Sequence, residues 1–461
     1  MCGIVGLSHH KEAGKIAFLG LYALQHRGEE AAGIVSYDGR QMHVVKKDGL
    51  AVDNFDENSI AQLKGHMAIA HTRYSTTGSS HTKNIQPILV SHRKRPMALA
   101  HNGNLINTDE LYTKLENEGS IFQTSMDSEI FVHLLAKTPN GAMAPWLTKV
   151  FSQVEGAYSV VLLLEGSLIG ARDPHGFRPL CLGKLGDGYI LASESCAFDL
   201  MNAEFVREVA PGEIVIIKGN KLESVFLPGC EKTKKSFCVF ENIYFARPDS
   251  TIFGDNIYQV RKRLGAQLAI EHPADADFVL GIPDSGNYAA LGYAQQLKMP
   301  FEEGIIRNHY IGRTFIQPTQ FLREFRVRVK LNPIREVIKG KKVVVIEDSI
   351  VRGTTSRSRI EGIREAGAKE IHMRISCPPI KSPCFYGIDF PSTGELIAHN
   401  KTVAQIADFI KVDSLGFLSL GGMMSVMKNR GDFCCACFTG QYPTALPKNT
   451  DKLKLEKSGE E

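Results

Sequence analysis

The rhythm of apolar and polar positions changes about halfway along this chain. Up to about residue 225, short alternating, β-rich segments recur, including residues 67–70, 97–100, 158–164, 188–192 and 213–217. Their alternation predicts β-strands. Between them, residues 15–25 and 128–136 carry apolar positions at helical spacing. That mixture suits two antiparallel sheets sandwiched between helices. After the Phe226-Leu227-Pro228-Gly229 break, apolar strands at 278–282, 301–306, 343–346 and 371–376 alternate with helical stretches. This is the βαβ pattern of a parallel sheet. The pattern divides the chain into residues 2–230, residues 231–446, and a charged, apolar-poor tail over 447–461 that is expected to be loose. No internal repeat is visible.

With 461 residues, 43% hydrophobic and 23% charged, the chain reads as a globular protein of two or three domains. A formal charge of +4 is too small to argue for nucleic acid. No apolar run approaches the roughly 18 residues of a membrane span, and residues 160–164 read as a buried strand. The N-terminus lacks the basic-then-apolar layout of a secretion signal, so a cytoplasmic location is expected.

The chemistry begins at Met1-Cys2-Gly3-Ile4-Val5-Gly6. Removal of one methionine would put a thiol and a free α-amine on the same residue. An α-amine titrates at about 7.7 to 8.0, so it can serve as the general base for its own thiol. A buried cysteine that merely stands second is the plain alternative. Cys2 is followed by Leu24-Gln25-His26-Arg27-Gly28-Glu29-Glu30, His71-Thr72-Arg73-Tyr74-Ser75-Thr76-Thr77-Gly78, His101-Asn102-Gly103-Asn104 and Met126-Asp127-Ser128-Glu129. Together these resemble the class II glutamine amidotransferases, N-terminal-nucleophile hydrolases, over about residues 2 to 225. The resemblance implies an αββα sandwich. It also implies that Arg73 clamps the glutamine α-carboxylate and Asp127 its α-ammonium, with His26 and Thr76 alongside. The Asn102 amide and the Gly103 N–H would form the oxyanion hole. A planar guanidinium matches a carboxylate, and fixed donors suit the charge of a tetrahedral intermediate. Some relatives carry a propeptide ahead of the cysteine; here only methionine removal is expected to be needed.

The second half contains Lys341-Lys342-Val343-Val344-Val345-Ile346-Glu347-Asp348-Ser349-Ile350-Val351-Arg352-Gly353-Thr354-Thr355-Ser356. A buried strand ends in two acids, and a loop of hydroxyls and glycine then opens a helix. Loop N–H groups, the three hydroxyls and a positive helix N-terminus suit a phosphate, while the acids suit ribose hydroxyls and Mg²⁺. The absence of Gly-Lys-Ser/Thr excludes a Walker A loop. The segment resembles the phosphoribosyl pyrophosphate motif of the type I phosphoribosyltransferases, which implies a parallel α/β sheet. By the same resemblance Glu347, Asp348, Arg352, Gly353, Thr354, Thr355 and Ser356 bind phosphoribosyl pyrophosphate, and Asp284-Ser285-Gly286 forms the pyrophosphate loop. Ser285, Glu347 and Asp348 would serve Mg²⁺. A basic stretch containing Arg307, Arg313 and Arg323 would act as a lid; by composition alone such a stretch is usually a solvated face or, less often, a nucleic-acid patch.

Ten cysteines in a chain expected in the cytoplasm argue for metal ligands rather than disulfides. Cys434 and Cys437 form a C-x-x-C pair. Spacing leaves zinc, a redox pair and an iron-sulfur cluster all open. The segments around Cys238 and Cys384 resemble the cluster-bearing branch of one family, which implies a 4Fe-4S cluster on Cys238, Cys384, Cys434 and Cys437, with Cys435 left out.

Joined in this order, the halves resemble the amidophosphoribosyltransferases. The resemblance implies glutamine hydrolysis through a Cys2 thioester and internal transfer of ammonia to phosphoribosyl pyrophosphate. The products would be 5-phosphoribosylamine, glutamate and pyrophosphate, at the entry to purine synthesis. It further implies a homotetramer inhibited by purine nucleotides. Aminotransferases and asparagine synthetases that share the first half differ in the acceptor half. A phosphoribosyl-pyrophosphate-sensing regulator would not need Cys2.

Overall fold

The computed structural model describes residues 1–74, 82–93, 95–138, 141–308 and 331–446. The expected 447–461 tail lies outside them. Two antiparallel sheets form the first half. In spatial order the first has seven strands: Met42–Asp48, Ala31–Tyr37, Met67–Arg73, Gly3–Leu7, Gly188–Ala192, Cys181–Leu185 and Glu204–Glu208. The second has six: Ile88–His92, Arg95–Leu105, Gly156–Leu164, Ser167–Arg172, Glu213–Lys218 and Lys221–Phe226.

Strand periodicity explains the layering, because successive side chains point to opposite faces. Ile4 and Ile69 meet Ala98, Val161 and Val215 between the sheets. Their chain neighbours Val5, Ala68 and Ala70 pack outward on helix Ala13–Ala23. On the far side Leu99, Val160 and Leu162 pack on helices Thr108–Asn117, Glu129–Lys137 and Met143–Phe151 through Leu111, Ile130, Leu134 and Leu147. The inner strands Gly3–Leu7, Met67–Arg73 and Gly156–Leu164 are thus buried on both faces, which is why 158–164 reads as a continuous apolar run, while edge strands such as Lys221–Phe226 stay partly exposed. The result is the expected αββα sandwich.

The second half is built on a parallel sheet in the order Phe278–Gly281, Lys342–Glu347, Glu370–Ile375 and Ser414–Phe417. The expected strand over 301–306 does not join that sheet beyond a single bridge at Phe301. The Gly304 N–H turns back onto the Glu302 carbonyl, and Ile305–Arg307 instead pairs antiparallel with Leu331–Pro333. Helices Ile257–Glu271 and Ser285–Leu297 approach closely enough that a Cβ on Gly265 would stand 1.8 Å from the Ala289 carbonyl oxygen. Among the described residues no helix is long and apolar enough to cross a membrane.

The two halves interlock. Strand Phe237–Cys238 pairs with Phe433–Cys434, while the Cys238 N–H bonds to the Phe177 carbonyl. Phe177 stacks on Tyr386 at 4.1 Å, and the Asn104 amide donates to the Phe385 carbonyl.

Gly265→Ala should force the two helices apart and lower unfolding free energy by about 1–3 kcal/mol, the usual cost of overpacking. Denaturant unfolding followed by far-UV circular dichroism reads this directly, and an unchanged midpoint would mean that the helices are not held at this separation.

Candidate active sites and the cavity that joins them

Cys2 sits at the start of the central strand of the first sheet, one residue before Gly3–Leu7. Several bonds fix it. Its N–H donates to Asn102 Oδ1 at 3.2 Å, its Sγ lies 3.6 Å from the Tyr74 carbonyl oxygen, and its own carbonyl accepts from Arg27 Nε at 3.0 Å. The Gly3 N–H donates to Thr72 Oγ1 and the Ile4 N–H to Ser193 Oγ. The thiol is half-buried.

Asn102 is fully buried, and its Nδ2 has no hydrogen-bond partner among the described residues. A buried amide donor normally has one, so an oxygen from a substrate would complete it. Gly103 follows at φ +154°, where an added Cβ would come within 1.9 Å of the Ala157 carbonyl oxygen. Only glycine fits there. Arg73 is buried, with Nη1 donating to the Asn84 carbonyl at 2.7 Å and Nε 4.0 Å from Glu30 Oε2. Asp127 accepts from the Leu105 N–H and stands 3.8 Å from His101 Nδ1. The segment around Asn84 and Gln86 ties these together, because Asn84 and Gln86 donate to the Ser125 and Ser128 hydroxyls. Thr76 lies outside the described residues. His26 Nε2 is 2.7 Å from Glu194 Oε1. Glu194 is fully buried; burial raises its pKa, but the charges of His26 and Arg27 more than reverse this and hold it well below the usual range.

In the second half, Glu347 ends the strand and Asp348 follows it, and Gly353, at φ +79°, precedes helix Thr354–Glu365. Ser285 Oγ donates to Asp348 Oδ2 at 2.5 Å, and Arg359 Nη1 donates to Glu347 Oε2 at 2.6 Å. Burial pushes the Glu347 pKa up to about 7 even against the Arg359 guanidinium. Arg307 pairs with Asp284, and Arg352 Nε donates to Glu395 at 2.9 Å. Gly286 does not line the cavity; it lets the Ser285–Leu297 helix approach the strand, since a Cβ would stand 2.5 Å from the Ile346 carbonyl oxygen. Arg313 and Arg323 lie outside the described residues.

One cavity of about 670 Å³ includes residues of both sites in its wall. Asp284, Ser285, Arg307, Glu347, Asp348 and Arg352 to Ser356 line it, and so do His26 and Tyr74 of the first half. Tyr74 is the residue whose carbonyl faces the Cys2 thiol. Sequence reading missed Arg247, Arg261 and Arg359 on the cavity wall and the buried Arg27 behind it. Arg261 lines this cavity from a helix with no motif to mark it, and Arg359 from the helix that the Glu347–Ser356 motif opens, three residues past Ser356. Arg27 stood inside a motif already singled out, but its partners are far away in sequence.

Cys238, Cys384, Cys434 and Cys437 line a second, smaller cavity beside Arg178 and Tyr386. Cys435 is not in its wall; its Sγ faces Met424 Sδ at 3.8 Å. Burial raises the thiol pKa values of Cys238, Cys434 and Cys437. Among the described residues no group of three or more His, Cys, Asp or Glu side chains converges on a point where it could hold one metal ion.

Comparison with known proteins agrees with both halves. The chain matches the glutamine amidotransferase domain family over residues 71–199 and the phosphoribosyl transferase domain family over residues 254–383. It is 46% identical to the amidophosphoribosyltransferase of Archaeoglobus fulgidus, across 97% of this chain and 99% of that one. Identity to the amidophosphoribosyltransferase of Methanocaldococcus jannaschii is also 46%, across 98% and 99%. The solved glutamine phosphoribosylpyrophosphate amidotransferase of Bacillus subtilis, complexed with ADP and GMP, superimposes with a TM-score of 0.91 at 45% identity, covering 98% of this chain and 99% of that one. Two matched domains in this order, and identity near one half over almost the full length of each relative, carry one conclusion: the chain belongs to the amidophosphoribosyltransferase family.

Proposed function

We propose that the two halves divide the family's reaction between them, with the shared cavity as the observation that carries this reading. The enzyme transfers ammonia from glutamine to phosphoribosyl pyrophosphate, giving 5-phosphoribosylamine, glutamate and pyrophosphate. Cys2, freed of Met1, is the nucleophile and its α-amine the base. Arg73 and Asp127 hold the two charged ends of the substrate, with His26 and Thr76 nearby. As the Cys2 sulfur adds to the amide carbon, the oxygen gains charge, and the unpaired Asn102 Nδ2 and the Gly103 N–H receive it. Collapse expels ammonia, and water then releases glutamate from the thioester.

Ammonia reaches the acceptor through the cavity. Its lone pair attacks ribose C1 while the C1–O bond to pyrophosphate breaks, inverting that carbon. Ser356, Thr354 and Thr355 at the helix start suit the 5′-phosphate, and Asp284-Ser285-Gly286 the pyrophosphate. Arg352 and Gly353 complete the loop. Arg307, Arg313 and Arg323 belong to the lid reading, which excludes water from a hydrolysis-prone ion.

Glu347, Asp348 and Ser285 are oxygen donors on one cavity wall, a set that fits Mg²⁺. Bound there, Mg²⁺ would supply charge neutralisation for the departing pyrophosphate. Cys238, Cys384, Cys434 and Cys437 share one cavity wall, and in this reading they would be the four thiolate ligands of a 4Fe-4S cluster. Such a cluster would tie together segments from the start, middle and end of the second half. Both half-reactions are redox-neutral, so its role is structural. The wider reading includes a cytoplasmic homotetramer inhibited by purine nucleotides, the ADP and GMP bound by the B. subtilis relative supporting the last point.

Cys2→Ala should abolish glutamine-dependent synthesis and leave ammonia-dependent synthesis at alkaline pH within about twofold, judged against the 1.4 kcal/mol that a tenfold rate change represents. Continued use of glutamine by that variant would remove Cys2 as nucleophile. Arg73→Lys keeps a charge but loses the fork, so kcat/KM for glutamine should drop by an amount equivalent to about 2–4 kcal/mol. Unchanged glutamine kinetics would sink the clamp. For the cluster, anaerobically purified Cys384→Ser should be colourless and poor in iron and sulfide, while Cys435→Ser should keep both; stoichiometric zinc in the colourless wild-type protein would overturn the iron-sulfur assignment.

A further inference from the structure

Four charged side chains meet without solvent exposure where the halves join: Arg27, Arg178 and Glu194 from the first, Glu241 from the second. Arg27 Nη2 and Nη1 donate to Glu241 Oε1 and Oε2 at 2.7 and 3.0 Å, Nη1 also to Glu194 Oε1 at 2.5 Å, and Nε to the Cys2 carbonyl at 3.0 Å. Arg178 stands 3.4 Å from Glu241 and donates to the Tyr386 carbonyl at 2.9 Å through Nε. The second oxygen of Glu194 accepts from the Arg247 N–H and the Ser250 hydroxyl, and Arg247 lines the shared cavity.

A buried ion pair is a poor way to gain stability, because apolar side chains of similar volume commonly serve as well or better. What a forked pair supplies is direction. Two parallel N–H···O bonds fix the plane of a guanidinium, and the plane of Arg27 fixes where its Nε points. Nε points at the carbonyl of Cys2. A cysteine has one side-chain torsion between its backbone and its sulfur, so the backbone position largely sets where the sulfur stands.

We propose that Glu241 is a positioning residue for glutamine hydrolysis, supplied by the phosphoribosyltransferase half: it orients Arg27, which holds the Cys2 backbone in register with Asn102. Glu241 is not among the described residues that line the large cavity. The proposal rests on Cys2 being the nucleophile, and it adds that the glutaminase site is incomplete without a residue from the other half. The glutamine clamp is independent of this network, since Arg73 and Asp127 have other partners. Loss of Glu241 therefore affects chemistry more than substrate binding.

The test is Glu241→Gln, which keeps shape and one acceptor but removes the charge and the second acceptor. Glutaminase kcat should fall about 10- to 100-fold, the scale of an ångström-sized misplacement. The glutamine KM should stay within about threefold, and ammonia-dependent synthesis within about twofold, on the same scale. Alkylation of Cys2 by iodoacetamide, read by mass spectrometry, should slow or quicken relative to wild type, a change that a merely structural role in the other half would not produce. Arg27→Lys, which keeps charge but cannot reach all three acceptors, should share this split. Wild-type glutaminase kcat in Glu241→Gln overturns the proposal. So does parallel loss of both half-reactions with a lowered melting temperature in both variants, because Glu241 would then only hold the fold. Cys2→Ala is read separately: if it still hydrolyses glutamine, the nucleophile assignment fails and not the positioning step.

Discussion

The Arg27 guanidinium is the point through which the two halves constrain each other. Taking an arginine and two glutamates out of water is costly unless every charge is paired with good geometry, and here each is. Burial lowers the Arg27 pKa while Glu241 and Glu194 raise it, with a net rise. The cation is therefore permanent, and the halves cannot separate at this seam without stranding charge. Cys2 is anchored on one side of the group through its carbonyl. The cavity wall at Arg247 is anchored on the other through Glu194.

That seam also brings the thiol pocket into the same architecture. Glu241 lies three residues after Cys238, and the Tyr386 carbonyl held by Arg178 lies two residues after Cys384. Segments that carry the proposed cluster ligands are thus the ones that the amidotransferase half grips, through Arg178, through Phe177 stacked on Tyr386, and through Asn104 bonded to Phe385. A group bridging those segments would stiffen the wall against which the glutaminase site is built.

Much of this was legible in the sequence, and the reason is locality. Cys2, Asn102, Gly103, Arg73 and Asp127 each sit in a short segment whose residue types announce their chemistry, and so does the run from Glu347 to Ser356. The two layers of sheet followed from alternating segments mixed with helical stretches, together with the family resemblance, and the parallel sheet from the later change of rhythm. What could not be read depended on distant partners. Arg27 finds Glu194 and Glu241 across 167 and 214 positions, and no local pattern marks either glutamate as its partner. Residues 301–306 read as a sheet strand on composition, yet the Gly304 turn directs Ile305 to Pro333 instead. Ser414–Phe417 was missed because four residues beginning with a serine carry too little pattern.

The central claim is that one cavity serves both sites, so that ammonia released at Cys2 is used before it meets solvent. The direct measurement is synthesis from glutamine labelled with ¹⁵N in the amide, run with an excess of unlabelled ammonium, followed by mass analysis of the trapped phosphoribosylamine. Internal transfer predicts ¹⁵N in the product at close to the enrichment of the glutamine amide, whatever the external pool. Label diluted to the ratio expected from free mixing would contradict the account.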